Sequence, residues 1–322
     1  MKKPYVLKAS SLLLSVLIAV NAFAQDDMGN SANQADLQDT KGFHFGLYIG
    51  GLFANQYTAN LYDGYGFDVD GKKNNWDNSF MNQKINLQYG GKAYSGQTDY
   101  IAQELKVDPG TWTFSEIDMQ QIIMRYTPAF SVGLTGRYTV DTKNAILINV
   151  NASKLNISGS FNIHTMPSNS GSNNQTTKTL QPFPIKGSEQ RLIMQLGYQH
   201  LFGDGPINFL LEGGLHATLT KFDKNVVQIN NLTIDLTSYA NSVYFASATP
   251  FKRPVGIGFG AFGGMGVNLS MNPKATIQLV YSPTYEKINI GENPQHKLQN
   301  SIGIRLYYSM FPTNITPPNT GQ

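Results

Sequence analysis

The chain reads as all-β: an eight-stranded antiparallel up-and-down transmembrane β-barrel with long extracellular loops. Three observations predict it. Short polar turns (Val140-Asp141-Thr142-Lys143-Asn144, Gly203-Asp204-Gly205-Pro206 and Met271-Asn272-Pro273-Lys274) alternate with connections of about nine to over fifty residues, the wiring of a membrane barrel with its short turns on the periplasmic side. The runs between them alternate apolar and polar, which places each set on one face of a strand. No run after residue 24 is long and apolar enough for a transmembrane helix.

Eight strands follow in order. The first, about 42–57, sets Phe43, Phe45, Leu47, Ile49 and Phe53 against His44, Gly46, Tyr48 and Gly50. The second, about 127–140, sets Phe130, Val132, Leu134 and Tyr138 against Ser131, Gly133, Thr135 and Arg137. The third, about 145–163, begins with Ile148, Val150 and Ala152, then loses its period near Lys154, which predicts a bulge. The fourth, about 188–202, points Leu192, Met194, Leu196 and Tyr198 outward and Arg191, Gln195 and Gln199 inward. The fifth, about 207–222, sends Ile207, Phe209, Leu211, Leu215 and Leu219 out and Glu212, His216, Thr218 and Thr220 in. The sixth, about 254–270, has Val255, Ile257, Phe259, Ala261, Met265, Val267 and Leu269 on one face and Gly256, Gly258, Gly260, Gly264 and Gly266 on the other. The seventh, about 275–288, shows Ile277, Leu279 and Tyr281 outward, and the eighth, about 297–311, Ile302, Ile304, Leu306, Tyr308 and Met310. Most runs exceed the roughly 9–11 residues a tilted strand needs to cross a bilayer, so the excess projects beyond the outer surface.

Alternation alone also fits a soluble sandwich or lipocalin-like barrel with its apolar face inside. The presumed inward faces decide for the membrane. A soluble core rarely buries Arg191, Gln195, Glu212 and His216 together, whereas a narrow lumen is filled by such side chains. Glu212 with Arg191 or Arg305 is expected to form a buried polar network with Gln195 and His216. The glycine face of the sixth strand leaves room for water beside it, and hence for a narrow pore. Tyr126-Thr127-Pro128 and Tyr281-Ser282-Pro283 mark the rim, because proline lacks the ladder donor. Tyr126 and Tyr281 fit an aromatic belt.

The first 24 residues read as a secretory signal, with Lys2, Lys3 and Lys8, an apolar Leu12–Val20 and a cleavage site at Ala22-Phe23-Ala24. The formal charge of +3 equals these three lysines, so the remainder is neutral and offers no basic patch for nucleic acid. Residues 25–41 are a flexible periplasmic lead-in, 42–311 the barrel and 312–322 a Pro-rich flexible tail. There is no cysteine, which excludes an acylated Cys, disulfides and thiol chemistry.

The first loop, about 58–126, carries both tryptophans, Trp76 and Trp112, with Tyr89, Tyr94 and Tyr100. Long loops without purpose are uncommon, and such rings suit a protein or glycan partner. The other reading is a loop that packs on itself and caps the barrel. Asp99 to Val107 suits a short helix. Asp63, Asp68 and Asp70 lack the full calcium-loop pattern. In the third loop, Val226–Ile229 and Leu232–Leu236 read as a hairpin extending the strands. The histidines are scattered, and His164 has no carboxylate at convincing spacing. No catalytic residue, metal site or cofactor is expected.

The last strand, Ser301-Ile302-Gly303-Ile304-Arg305-Leu306-Tyr307-Tyr308 with Ser309-Met310-Phe311, resembles the insertion signal of outer-membrane barrels. On that resemblance Gly303, Leu306, Tyr308 and Phe311 are read by the barrel-insertion machinery. With the signal cut before Gln25 and GIGFGAFGGMGVNLSM in the sixth strand, the chain resembles the outer-membrane β-barrel proteins of Bacteroidota, in particular the broad PorT-like group. Some of that group serve type IX secretion. The resemblance implies residence in outer-membrane lipid and a non-enzymatic accessory or scaffold role, with a protein partner at loop one or the periplasmic termini. The alternatives are a narrow pore or ligand-binding barrel, and a surface enzyme acting on lipid A or peptides.

Overall fold

Eight strands close on themselves in the computed structural model, which describes residues 42–67, 72–93, 95–166, 179–237, 255–272, 275–289 and 294–309. The signal at 1–24, the lead-in at 25–41 and the tail at 312–322 lie outside the described residues, as do Asp68, Asp70, Tyr94, Met310 and Phe311. The ring strands are β1 (Gly42–Phe53), β2 (Ala129–Thr139), β3 (Asn144–Thr165), β4 (Thr179–Phe202), β5 (Ile207–Ile229), β6 (Val255–Asn272), β7 (Ala275–Ile288) and β8 (His296–Ser309). Each pairs antiparallel with its neighbour in sequence, and β8 returns to β1 from His44↔Ser309 to Phe53↔Asn300. Closure matters because a bilayer offers no water to an unpaired strand edge.

Polarity is inverted relative to a soluble barrel. Phe45, Leu134, Ile148, Leu196, Leu215, Phe259 and Tyr308 are exposed, while Arg137, Asn149, Gln199, Glu212, Asn268, Gln278 and Arg305 are buried in the lumen. Such an exterior is stable only against acyl chains. The protein is an outer-membrane β-barrel, and lipid covers its outer face.

The first two short turns are tied together at the periplasmic end. Asp141 Oδ1 accepts from the backbone N–H groups of Lys143 and Asn144, at 2.8 and 2.9 Å. Lys143 Nζ reaches Asp204 Oδ1 at 2.8 Å, linking the first turn to the second.

At the opposite end β3, β4 and β5 run on, with 22, 24 and 23 residues against 11 in β2. The expected bulge at Lys154 is absent, because the β3–β4 register is unbroken from Asn144↔His200 to Thr165↔Thr179. What changes there is the hydrophobic phase. Up to Ala152 the outward positions are apolar (Ile146, Ile148, Val150, Ala152), although Ala145 and Leu147 also point inward. From Leu155 the apolar residues face inward (Leu155, Ile157, Phe161, Ile163), and Lys154, Asn156 and Ser158 take the outside. The strand leaves the membrane at Lys154 without changing its geometry, so apolar and polar faces exchange. The one register shift on this wall falls opposite Ser188 and Glu189, where Asp223 of β5 is the extra residue.

The inverted faces bury the first loop. Tyr62, Met81, Ile85, Ile101, Trp112, Phe114, Met119 and Met124 pack with Ile157, Phe161, Phe183, Ile185, Phe222 and Val227 in one core. The cap holds a π-helical turn (Asn82–Tyr89) and short helices at Gln56–Ala59, Tyr100–Leu105 and Glu116–Gln120. Asp99 caps the Tyr100–Leu105 helix, accepting from Ala102 N at 2.8 Å. Two short strands, Trp112–Thr113 and Arg125–Tyr126, add to the edge of β3. The expected hairpin above the membrane is present: β5 continues to Ile229 and turns at Asn230, in the left-handed region at φ 49°, into Leu232–Asp235. Asparagine tolerates that conformation. The Asn231 N–H donates to Glu104 Oε2 at 3.0 Å, fastening the hairpin tip to the cap.

Candidate functional site: the lumen and its cap

Period-two geometry sends Arg191, Gln195, Glu212, His216 and Arg305 into the lumen, where all five are buried. They do not form one cluster. Arg305 grips Glu212 with two parallel bonds, Nη1 to Oε2 at 2.6 Å and Nη2 to Oε1 at 2.7 Å, and their side chains are 2% and 0% exposed. Such a fork is the strongest pairing the two groups offer. Gln199 Nε2 donates to the same carboxylate at 3.2 Å, and Gln278 Nε2 to Asn268 Oδ1 at 2.8 Å. This layer closes the periplasmic half.

Above it, Thr135 donates to Asn149, Asn149 to Gln195 at 3.1 Å, and Gln195 faces the His216 ring at 3.5 Å. His216 Nε2 lies 2.8 Å from Thr218 Oγ1 and 3.3 Å from Glu286 Oε2. Glu212 and His216 thus sit in separate layers, as their spacing of roughly 13 Å along one strand dictates.

Arg191 pairs with Glu189, not Glu212. Its Nε donates to Glu189 Oε1 at 2.7 Å, its Nη1 donates to Gln299, and its Nη2 donates to Thr58 Oγ1 at 3.1 Å and the Tyr126 hydroxyl at 3.2 Å. Residues 189 and 191 share a face because they lie two apart on β4. The Tyr62 hydroxyl donates to Glu189 Oε2 at 3.0 Å, and Gln299 donates to Glu286. The cap therefore reaches down into the lumen through Thr58, Tyr62 and Tyr126. The aromatic-belt reading of Tyr126 is corrected here: its hydroxyl turns inward to Arg191. Tyr281 does stand on the outer face, bonded to Asn300 Oδ1 at 2.7 Å.

The glycines of β6 do not line a channel. A Cβ on Gly264 would lie 2.6 Å from Glu212 Cγ, and one on Gly258 would lie 2.8 Å from Glu286 Oε2. Between them Phe262 points inward over Gly197. The glycines admit larger side chains from neighbouring strands, and about 20 Å³ of free space remains beside His216 and Glu286, about one water.

The loop aromatics divide. Trp112 is 1% exposed, its indole N–H donates to Asp99 Oδ2 at 2.8 Å, and Lys92 Nζ lies 4.1 Å over its ring. Trp76 and Tyr89 pack against the same core. As a contact residue for a partner Trp112 is corrected, since the inverted face of β3–β5 needed covering, while Trp76 and Tyr89 are half-buried at the edge of that core. Tyr100 is exposed, with Ile117 and Ile123. Of the insertion-signal residues, Gly303 faces the Tyr48 ring in the lumen, while Leu306 and Tyr308 face lipid.

Sequence reasoning missed Glu189, Glu286, Gln299 and Gln278. Strict parity on β7 and β8 would have found the last three. It also passed over Asp118, which meets His164 Nε2 at 2.7 Å. The other Asp118 oxygen accepts from the Ser115 backbone N–H at 2.9 Å, in the capping box of the Glu116–Gln120 helix, and from Ser115 Oγ at 2.7 Å. Outside the membrane, burial pushes the Asp63 carboxyl up against the opposing pull of Lys73, whose Nζ is 2.5 Å away. Burial likewise pushes the Lys84 and Lys92 amines down.

No sequence-family model matches the chain, and no curated protein sequence does either. Among solved structures, it is similar to the outer membrane protein OprG from Pseudomonas aeruginosa, with 10% identity, 84% of this chain and 96% of that chain covered and a TM-score of 0.37. It is also similar to Ail of Yersinia pestis, solved in complex with the heparin analogue sucrose octasulfate, with 7% identity, 83% and 98% covered and a TM-score of 0.34. For Neisserial surface protein A the values are 9%, 84%, 99% and 0.32.

Proposed function

We propose that this barrel is a non-conducting, non-enzymatic scaffold that presents its folded cap to a protein partner in a surface or secretion complex. The observation that carries the reading is the filled lumen: the Arg305–Glu212 fork and the Arg191–Glu189 layer stand across it, with space for about one water between. A barrel blocked by its own side chains has its working surface outside. That surface is a packed body rather than a mobile loop, and it displays Tyr100, Ile117 and Ile123 to solvent. Rigid aromatic and aliphatic anchors lose little entropy on docking. A role in secretion extends the resemblance to the PorT-like group.

The test replaces Tyr100, Ile117 and Ile123 together with serine, leaving the buried core intact. The tagged protein is then taken from native outer membranes in mild detergent. Loss of a stoichiometric partner, with the barrel still inserted, is the expected result. A complex that survives the triple change removes the cap as the docking face. Planar-bilayer recording should be silent, and conductance steps that change in Glu212→Gln would favour the pore instead.

A further inference from the structure

On the outer wall the surface of β3, β4 and β5 changes character within a single step. Val132, Ala152, Leu192 and Leu219 are partners across four strands and form an apolar row facing lipid. The next outward-facing row on β3–β5 is Lys154, Gln190 and Lys221, again direct partners. Lys186 and Lys224 face outward just beyond. Asp223 is the one acid among the outward-facing residues of these strands. It lies 3.5 Å from Lys154 Nζ and accepts a bond from Ser188.

The rows enclose a recess. Ala152 is small and stands between Phe130 and Val132 on one side and Leu192 and Leu219 on the other, leaving an open groove of about 560 Å³ with Lys154 and Lys221 at its mouth. The groove is continuous with the lipid-facing belt, so acyl chain is its neighbour. Its cations stand where headgroups begin, and lysine stems lie along apolar wall while their amines reach the interface. Lys154 and Lys221 are two strand spacings apart, roughly 10 Å, a gap their flexible side chains close on a shared phosphate. The charge is local: the partner of Lys221 on β6 is Val255.

We propose that this groove binds one phosphorylated anionic lipid of the outer leaflet, its acyl chain against Phe130, Ala152, Leu192 and Leu219 and its phosphate between Lys154 and Lys221. The source is committed by the groove itself, because a free anion has no use for its apolar floor.

The experiment is native mass spectrometry of the detergent-purified full chain titrated with phosphatidylglycerol or with zwitterionic phosphatidylcholine of the same acyl chains. Wild type should retain phosphatidylglycerol preferentially. Lys154→Gln/Lys221→Gln should weaken that binding about thirtyfold, each near-surface lysine contributing about fivefold. Ala152→Leu, which fills the groove and keeps the charge, should weaken it as well. Lys297→Gln, a rim lysine of β8 held over the Tyr57 ring, is the control and should bind as wild type does. Heat-modifiable gel migration verifies that each variant is folded. Equal retention of the two lipids overturns the proposal, as does undiminished binding in either groove variant. Displacement of the lipid by millimolar inorganic phosphate would overturn it in favour of a simple anion site.

Discussion

Replacing Glu212 by glutamine keeps the side chain's volume and removes one charge from the Arg305 fork. Arg305 stays protonated in any environment, so the variant leaves a cation sealed in the lumen. Its Nε already has no acceptor among the described residues, and Gln199 is the other donor to that carboxylate. Breaking a buried pair by removing one partner costs about 3–5 kcal/mol. Replacing both partners by apolar groups of similar size is close to neutral. The expected pattern is therefore non-additive: Glu212→Gln and Arg305→Met each lose about 3–5 kcal/mol, while Glu212→Met/Arg305→Met recovers most of the loss. The assay is reversible urea unfolding in lipid vesicles, followed by tryptophan emission and gel migration. At a slope of about 1–3 kcal/mol per molar urea, each single variant should unfold more than about 1 M earlier than wild type. Single variants within about 0.5 kcal/mol of wild type, or a double variant as weak as the sum of its singles, would refute the reasoning.

Other outcomes follow from the same geometry. Gly264→Ala drives a Cβ onto the Glu212 carboxylate, whereas Gly263→Ala, on the lipid face with its nearest atom at 4.0 Å, meets ordinary contact. The first should lower the urea midpoint and the second leave it in place. Trp112→Ala removes a fully buried ring and the donor to Asp99, at a cost of about 3–5 kcal/mol; limited proteolysis should open the cap while the barrel core survives, and an equally resistant cap would contradict the packing. For pH, burial raises the Asp63 carboxyl, so its contribution is fully present below its ordinary range and is lost as pH rises through the elevated value. Cap stability, read as acrylamide protection of Trp112 in a Trp76→Phe background, should therefore rise on acidification toward pH 4. Asp63→Asn should flatten that rise, and an identical slope in the variant would count against the assignment.

What the sequence by itself determined is what repeats locally. A strand's side chains alternate with period two wherever it sits, so the strand order, the lipid-facing row and the inward aim of Arg191, Gln195, Glu212, His216 and Arg305 could be read residue by residue, but not the extension of β4 back to Thr179 or of β5 on to Ile229. Asp99 announced a helix start for the same reason, since capping is a matter of neighbours. The pairings could not be read this way. Arg305 meets Glu212 across the lumen and Arg191 meets Glu189 along one strand, and that choice depends on the register of all eight strands at once. The phase exchange at Lys154 looked like a lost period because the rule linking apolar to outward holds only within the bilayer, and only the folded cap shows what replaces lipid above it. Trp112 belongs to the same lesson: a ring in a long loop is equally suited to a partner or a core, and the uncovered inner faces of β3, β4 and β5 claimed it for the core.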